Sequence, residues 1–172
     1  MRRSMLQVCA LLLLSACARE EPRVQDATIP NTTETAQRVL PARPNQPILA
    51  TALRVGRSSE HGAYLTDETG RALYLFEEDS LNRSTCYNAC ATVWPPLLAV
   101  HGAPATAADS AVQKKMIGSF TRRDGTTQIT YNGRPLYYYT GDRAPGDTKG
   151  QDLTDRFGEW YLVSPRGSRV KE

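Results

Sequence analysis

One stretch of this chain is written twice. Gly70-Arg71-Ala72-Leu73-Tyr74-Leu75-Phe76-Glu77-Glu78-Asp79 returns as Gly133-Arg134-Pro135-Leu136-Tyr137-Tyr138-Tyr139-Thr140-Gly141-Asp142. Glycine, arginine, leucine, tyrosine, an aromatic residue and a closing aspartate recur at one spacing, 63 residues on. A tandem repeat of this kind asks for two like units folded onto each other as one body.

The repeat extends upstream. Gly62 to Gly70 and Gly125 to Gly133 match at the same offset without a gap, and each reads as strand, tight turn, strand. Asn132-Gly133 is the strongest short hairpin signal, because both residues accept positive φ. Asp67-Glu68-Thr69-Gly70 suits a type I turn closed by a glycine bulge. Residues 51–57 and 116–122 each supply another short strand, and residues 93–98 and 159–163 a fourth, each with a tryptophan. Pro95 and Pro96 limit the first of these to an edge or a short extended piece. About four strands per unit predict an all-β fold. Two pseudo-symmetric repeats, about 51–99 and 114–165, are expected to form one sandwich or small barrel across 48–165. The alanine-rich 100–112 segment reads as a connection, with a helical turn near 107–113. The polar tail 166–172 is expected to fray.

In Leu73 to Phe76 and Leu136 to Tyr139 both strand faces are apolar or aromatic. Such strands are buried on both sides, or face a core on one side and an aromatic surface on the other. Tyr74 with Phe76, and Tyr137 with Tyr139, share a face by period 2. With Asp79 and Asp142 they make a candidate ligand surface, since tyrosine offers area and a hydroxyl at low entropy cost. The plainer reading makes the aromatics core and the aspartates turn residues. The loop from Gly141 to Asp152 has the carboxylates and glycines of a calcium loop but not the EF-hand spacing, and no metal site is assigned.

The N-terminus reads as an address. Arg2 and Arg3 precede an apolar run ending in Leu11-Leu12-Leu13-Leu14. The run is too short for a hydrocarbon core of about 30 Å, so residues 1–16 read as a signal peptide. Leu14-Ser15-Ala16-Cys17 resembles a bacterial lipobox. That resemblance implies cleavage before Cys17 and fatty acylation of its sulfur and new amine. Each buried CH₂ contributes about 0.8 kcal/mol, so two or three chains hold a protein on a membrane where one does not. Ala18 stands where an aspartate would resemble an inner-membrane retention signal, which leans towards the outer membrane. Residues 17–47 hold five prolines among polar residues and read as a lipid-anchored flexible linker. Cys9 lies in the discarded segment.

The formal charge of +3 falls to about +1 once Arg2 and Arg3 are removed. No basic stripe interleaved with aromatics suggests nucleic acid. Cys86 and Cys90 are left in an exported domain, where two cysteines usually bond. Their spacing suits a local disulfide that stabilises by about 2 kcal/mol. The alternative is a thiolate pair for copper, with Met116, His61 or His101 as a third ligand.

With these residues the chain resembles the bacterial secreted-repeat lipoproteins known by a Tyr-x-aromatic-x-x-Asp motif. Tyr74/Phe76/Asp79 and Tyr137/Tyr139/Asp142 carry the motif. Ser84-Thr85-Cys86, Cys90-Ala91, Trp94-Pro95-Pro96-Leu97, residues 124–128 and residues 131–137 add to the likeness, which spans about Leu53 to Pro165. It implies an exported, usually lipid-anchored protein and brings no established activity. No G-x-S-x-G, H-E-x-x-H or glycine-rich phosphate loop is present, so neither an enzyme nor a cofactor is expected. The function expected is a non-enzymatic envelope module, held to a membrane by its lipid, that binds an envelope protein or a glycan or serves as structure. The alternative is a periplasmic redox or copper-binding protein using Cys86 and Cys90.

Overall fold

The structure is a computed structural model and describes residues 49–171. The expected signal peptide, the lipidation site Cys17 and the linker lie outside the described residues. The strands are β1 (Leu49–Ala50), β2 (Ala52–Ser58), β3 (Gly62–Asp67), β4 (Tyr74–Phe76), β5 (Leu98–Ala99), β6 (Thr106–Ala107), β7 (Ile117–Thr121), β8 (Thr127–Tyr131), β9 (Arg134–Pro135), β10 (Leu153–Asp155) and β11 (Gly158–Leu162). One short helix, α1, covers Ala89–Val93. Three open sheets result, ordered β3-β2-β6, β10-β11-β4 and β1-β5-β8-β7, with β9 beside β8. None closes on itself, so the barrel is not formed.

Both predicted turns reverse the chain onto itself, β8 pairing with β9 across Asn132-Gly133 and Thr66 bridging Ala72 across residues 67–70; upstream of each lies a further hairpin, β2–β3 and β7–β8. Their registers show which residues correspond. Leu53 pairs with Asp67 as Ile117 pairs with Tyr131. Leu65 therefore matches Ile129, and the ungapped alignment is one residue out here. The extra residue sits in the first turn. There Asp67 Oδ1 accepts from Thr69 N (2.8 Å), Thr69 Oγ1 (2.7 Å) and Arg71 N (3.0 Å). The second turn is the tighter Asn132-Gly133, with φ of 51° and 74°. A one-residue slip would turn every side chain to the opposite face. The corrected match keeps Leu65 and Ile129 buried in the same cluster.

Each repeat lends its last extended piece to the other. β11, from the second repeat, pairs with β4 of the first, Trp160 opposite Phe76 and Leu162 opposite Tyr74. Val163 then lies between Leu65 and Leu73: Leu65 N donates to Val163 O (2.8 Å) and Val163 N to Leu73 O (3.1 Å). Leu97 does the same in the second repeat. Ile129 N donates to Leu97 O and Leu97 N to Leu136 O, both at 2.9 Å. Between the halves, Tyr74 and Tyr137 form a bridge of their own.

The core follows from period 2. Leu73, Leu75, Leu136 and Tyr138 enter an aliphatic cluster with Leu53, Leu65, Leu97, Ile129 and Val163. Tyr74, Phe76 and Tyr137 face the other way, into an aromatic cluster with Trp94, Trp160, Leu162 and both bonded cysteines. Burying such a side chain fully contributes roughly 1.5–3 kcal/mol, and here both faces of the motif strand are used.

Three expectations are corrected. Residues 93–98 do not form a strand. Helix α1 ends at Val93 and only Leu98–Ala99 is extended, because Pro95 and Pro96 have no N–H for a ladder. The tail does not fray: Ser164 N donates to Ser168 O, Val170 N donates to Leu162 O, and Val170 is buried. The connection is more than a link: it adds β6, parallel to β2, before the expected turn, closed by Val112 N donating to Asp109 O (3.1 Å), and a 3-10 turn at Lys114–Met116.

Candidate functional site

The motif residues meet, though not as a surface. Tyr74 and Tyr137 are 0% exposed, Phe76 3% and Asp79 4%; Tyr139 and Asp142 are half-buried. The expected ligand surface is thus interior, because β11 and the Trp94 segment cover the face that the aromatics share. Four rings form a column in the order Phe76, Trp160, Trp94, Tyr139. Successive centroids lie 4.1, 4.0 and 4.3 Å apart, with interplanar angles of 10°, 5° and 26°. Tyr74 meets Trp94 edge-on, and Tyr137 meets Trp160 in the same way. The column is pseudo-symmetric about the Trp94–Trp160 stack. It differs in its donors: Trp94 Nε1 donates to Asp155 Oδ2 (2.8 Å), whereas buried Trp160 Nε1 has no partner among the described residues.

The tyrosine hydroxyls cross between repeats. Tyr74 Oη donates to Asp142 Oδ2 and Tyr137 Oη to Asp79 Oδ2, both at 2.6 Å. Asp79 also accepts from Thr85 N (2.7 Å) and Thr85 Oγ1 (2.8 Å), and Asp142 from Lys149 N (2.9 Å). Burial raises the pKa of both carboxyls, against the lowering effect of these bonds. Burial, with the facing carboxylate, pushes both phenols well above their usual value. The Tyr-x-aromatic-x-x-Asp pattern is therefore a clasp: the tyrosine of each copy closes on the aspartate of the other. The remaining Asp142 loop is also internally bonded, since Asp147 Oδ2 accepts from Arg143 N, Ala144 N and Lys149 Nζ.

Cys86 and Cys90 form a disulfide, with Cα atoms 5.2 Å apart. Both are buried against the aromatic cluster. The free thiolate pair that copper requires is not formed. Among the described residues no three His, Cys, Asp or Glu side chains gather as a metal set. The bridge staples the loop that carries Ser84, Thr85 and Tyr87.

That loop borders a groove of about 330 Å³ with β7 on its other side. Arg83, Thr85, Tyr87, Phe120, Thr121 and Arg123 line it, with Asn82 and Ser84. Behind it, buried Arg122 donates to Ser84 Oγ (3.0 Å), Cys86 O (2.7 Å) and Gln128 Oε1. The guanidinium carbons of Arg122 and Arg123 lie 4.3 and 4.0 Å from the Tyr87 ring centre. Sequence reasoning missed this place. Arg122-Arg123 was readable as a basic pair, but only the fold sets it beside residues 82–87.

Comparison with curated proteins finds no match, and comparison with solved structures finds none. The family model Lipoprotein_15, described as a secreted repeat of unknown function, matches residues 57–98 and 118–164. The two matched segments fall one in each pseudo-symmetric unit, so the chain belongs to this secreted-repeat family and carries the repeat twice.

Proposed function

We propose that the protein is an exported, non-enzymatic envelope module, lipid-anchored at Cys17 and hung from the outer membrane, that binds an envelope component. The clasp carries this reading. The motif's hydroxyls and carboxylates are spent on each other across the repeats. They build a stiff scaffold and leave ligand contact to the loops around it. The lipobox-like Leu14-Ser15-Ala16-Cys17 and the membership of a secreted family support export and anchoring.

Two measurements test it in cells. Labelling with an alkyne fatty acid should mark the wild-type protein and not Cys17→Ser. Crosslinking in the intact envelope, read by mass spectrometry, should return a specific envelope protein or glycan. An unlabelled wild type, or an envelope in which nothing specific crosslinks, would overturn the proposal.

A further inference from the structure

We infer that the groove between residues 82–87 and β7 is a subsite for an anionic saccharide, whose phosphate or carboxylate group sits between Arg83 and Arg123. The inference rests on the binding reading above and gives it a place and a ligand class.

Charge is the first argument. Both arginines are exposed, and neither forms an ion pair among the described residues. Among the described residues no carboxylate lines the groove. Buried Arg122 adds a third positive charge from behind. Its one acidic partner is Asp124, 3.3 Å away with a side chain 48% exposed; its other partners are neutral. Among the lining side chains only Arg83 and Arg123 are charged, although buried Asp79 lies behind Thr85, and a cleft lined by one sign of charge focuses its field inwards. The two lining guanidinium groups, Arg83 and Arg123, repel each other, and an anion between them relieves that repulsion. A planar guanidinium also matches carboxylate and phosphate oxygens two at a time.

Preorganisation is the second argument. Arg123 is stacked on Tyr87, and its backbone N donates to Tyr87 Oη (3.2 Å). The Tyr87 loop is fixed by the disulfide next to it and by the Arg122–Cys86 carbonyl bond. Less ordering entropy is then lost on binding. The rest of the lining suits a sugar. Phe120 offers an apolar ring to C–H groups, while Asn82 and Thr121 bring an amide and a hydroxyl. The volume is at the small end of ligand sites, right for about one ring and its charged group.

The place is specific to one half of the molecule. β2 is the counterpart of β7, and by the hairpin registers Ser58 stands where Arg122 does, and Ser59 where Arg123 does.

Calorimetry on the full acylated chain in a non-ionic detergent tests the inference. The probes are glucose 6-phosphate, glucuronate, glucose, inorganic phosphate and phosphatidylglycerol vesicles. The charged sugars should bind and glucose should not, with inorganic phosphate weaker than the sugar phosphate. Arg83→Ala and Arg123→Ala should each weaken binding roughly tenfold, Arg123→Lys less, and the exposed Arg54→Ala not at all. Thermal melts of these surface variants should match wild type. Silence towards both charged sugars, unchanged affinity in an Arg83→Ala/Arg123→Ala double variant, phosphate as tight as its sugar ester, or binding of the vesicles alone would each overturn it. If that double variant still crosslinks its envelope partner, the groove assignment falls and the binding-module proposal stands.

Discussion

Tyr74 and Tyr137, equivalent residues of the two repeats, donate backbone N–H groups to each other's carbonyls, at 2.9 Å in both directions. The local symmetry axis passes between them. Their side chains then part, each hydroxyl closing on the aspartate that ends the other copy of the motif.

Phenylalanine at either tyrosine should therefore weaken the fold and not merely trim a surface. Tyr137→Phe leaves a carboxylate in a site where Asp79 is 4% exposed, at a cost of about 1–3 kcal/mol. Tyr74→Phe should cost less, because Asp142 is half-buried and water can take the vacated place. Urea midpoints give the comparison. A Tyr137→Phe/Asp79→Asn cycle should show clear coupling between the two sites.

The clasp also sets a pH dependence. Asp79 and Asp142 hold their protons more tightly folded than unfolded. As pH rises through the usual carboxylate range, the unfolded chain ionises first, and the folded state loses relative stability until its own carboxyls ionise. Glu68 and Asp124, shifted downwards by hydrogen bonds, act in the opposite sense. The readout is thus a difference. Between pH 3 and pH 7 the wild type should lose stability relative to an Asp79→Asn/Asp142→Asn variant as pH rises. A flat difference would contradict this.

The two tryptophans should not be equally replaceable. Trp94→Phe removes the bond to Asp155, whose Oδ1 keeps its bonds from Phe157 N and Gly158 N; Trp160→Phe removes a buried N–H that has no partner among the described residues. Both lose stacked area, so the excess cost at Trp94 reports the hydrogen bond, about 1–3 kcal/mol. Equal midpoints for the two variants would contradict the asymmetry.

Much of this was legible beforehand, and the exceptions are instructive. The duplicated motif announced the repeat, and the burial of both faces of residues 73–76 was one of two readings that the apolar run allowed. The choice between them was not in the run itself. It depended on β11 crossing from the other repeat to cover the aromatic face, a long-range pairing that local pattern does not encode. The same holds for the tail, whose only apolar residue, Val170, is buried by its return beside Leu162. Residues 93–98 failed for a local reason: the bonded cysteines set a helical turn and the prolines then ended any ladder. The groove needed residues 82–87 and 120–123 to meet, which only the assembled fold arranges.

Cleaving the disulfide should matter less than its position suggests. Cys86→Ser/Cys90→Ser removes a bridge over a separation of four residues, worth about 2 kcal/mol. Since both sulfurs are buried, thiol reagents added after mild reductant should label the native protein slowly and the urea-unfolded protein at once. Rapid labelling of the native fold would revive the redox reading.

The loan of β11 to β4 carries a consequence for how the two halves come together. Until Trp160, Leu162 and Val163 of the second repeat are in position, the place beside Leu65, Leu73 and Tyr74 is empty. A half-sheet without its borrowed strand has an open edge and too little buried area to hold together. The two repeats are thereby made mutually dependent: neither half can complete its sheet before the other has supplied its strand, so they close together.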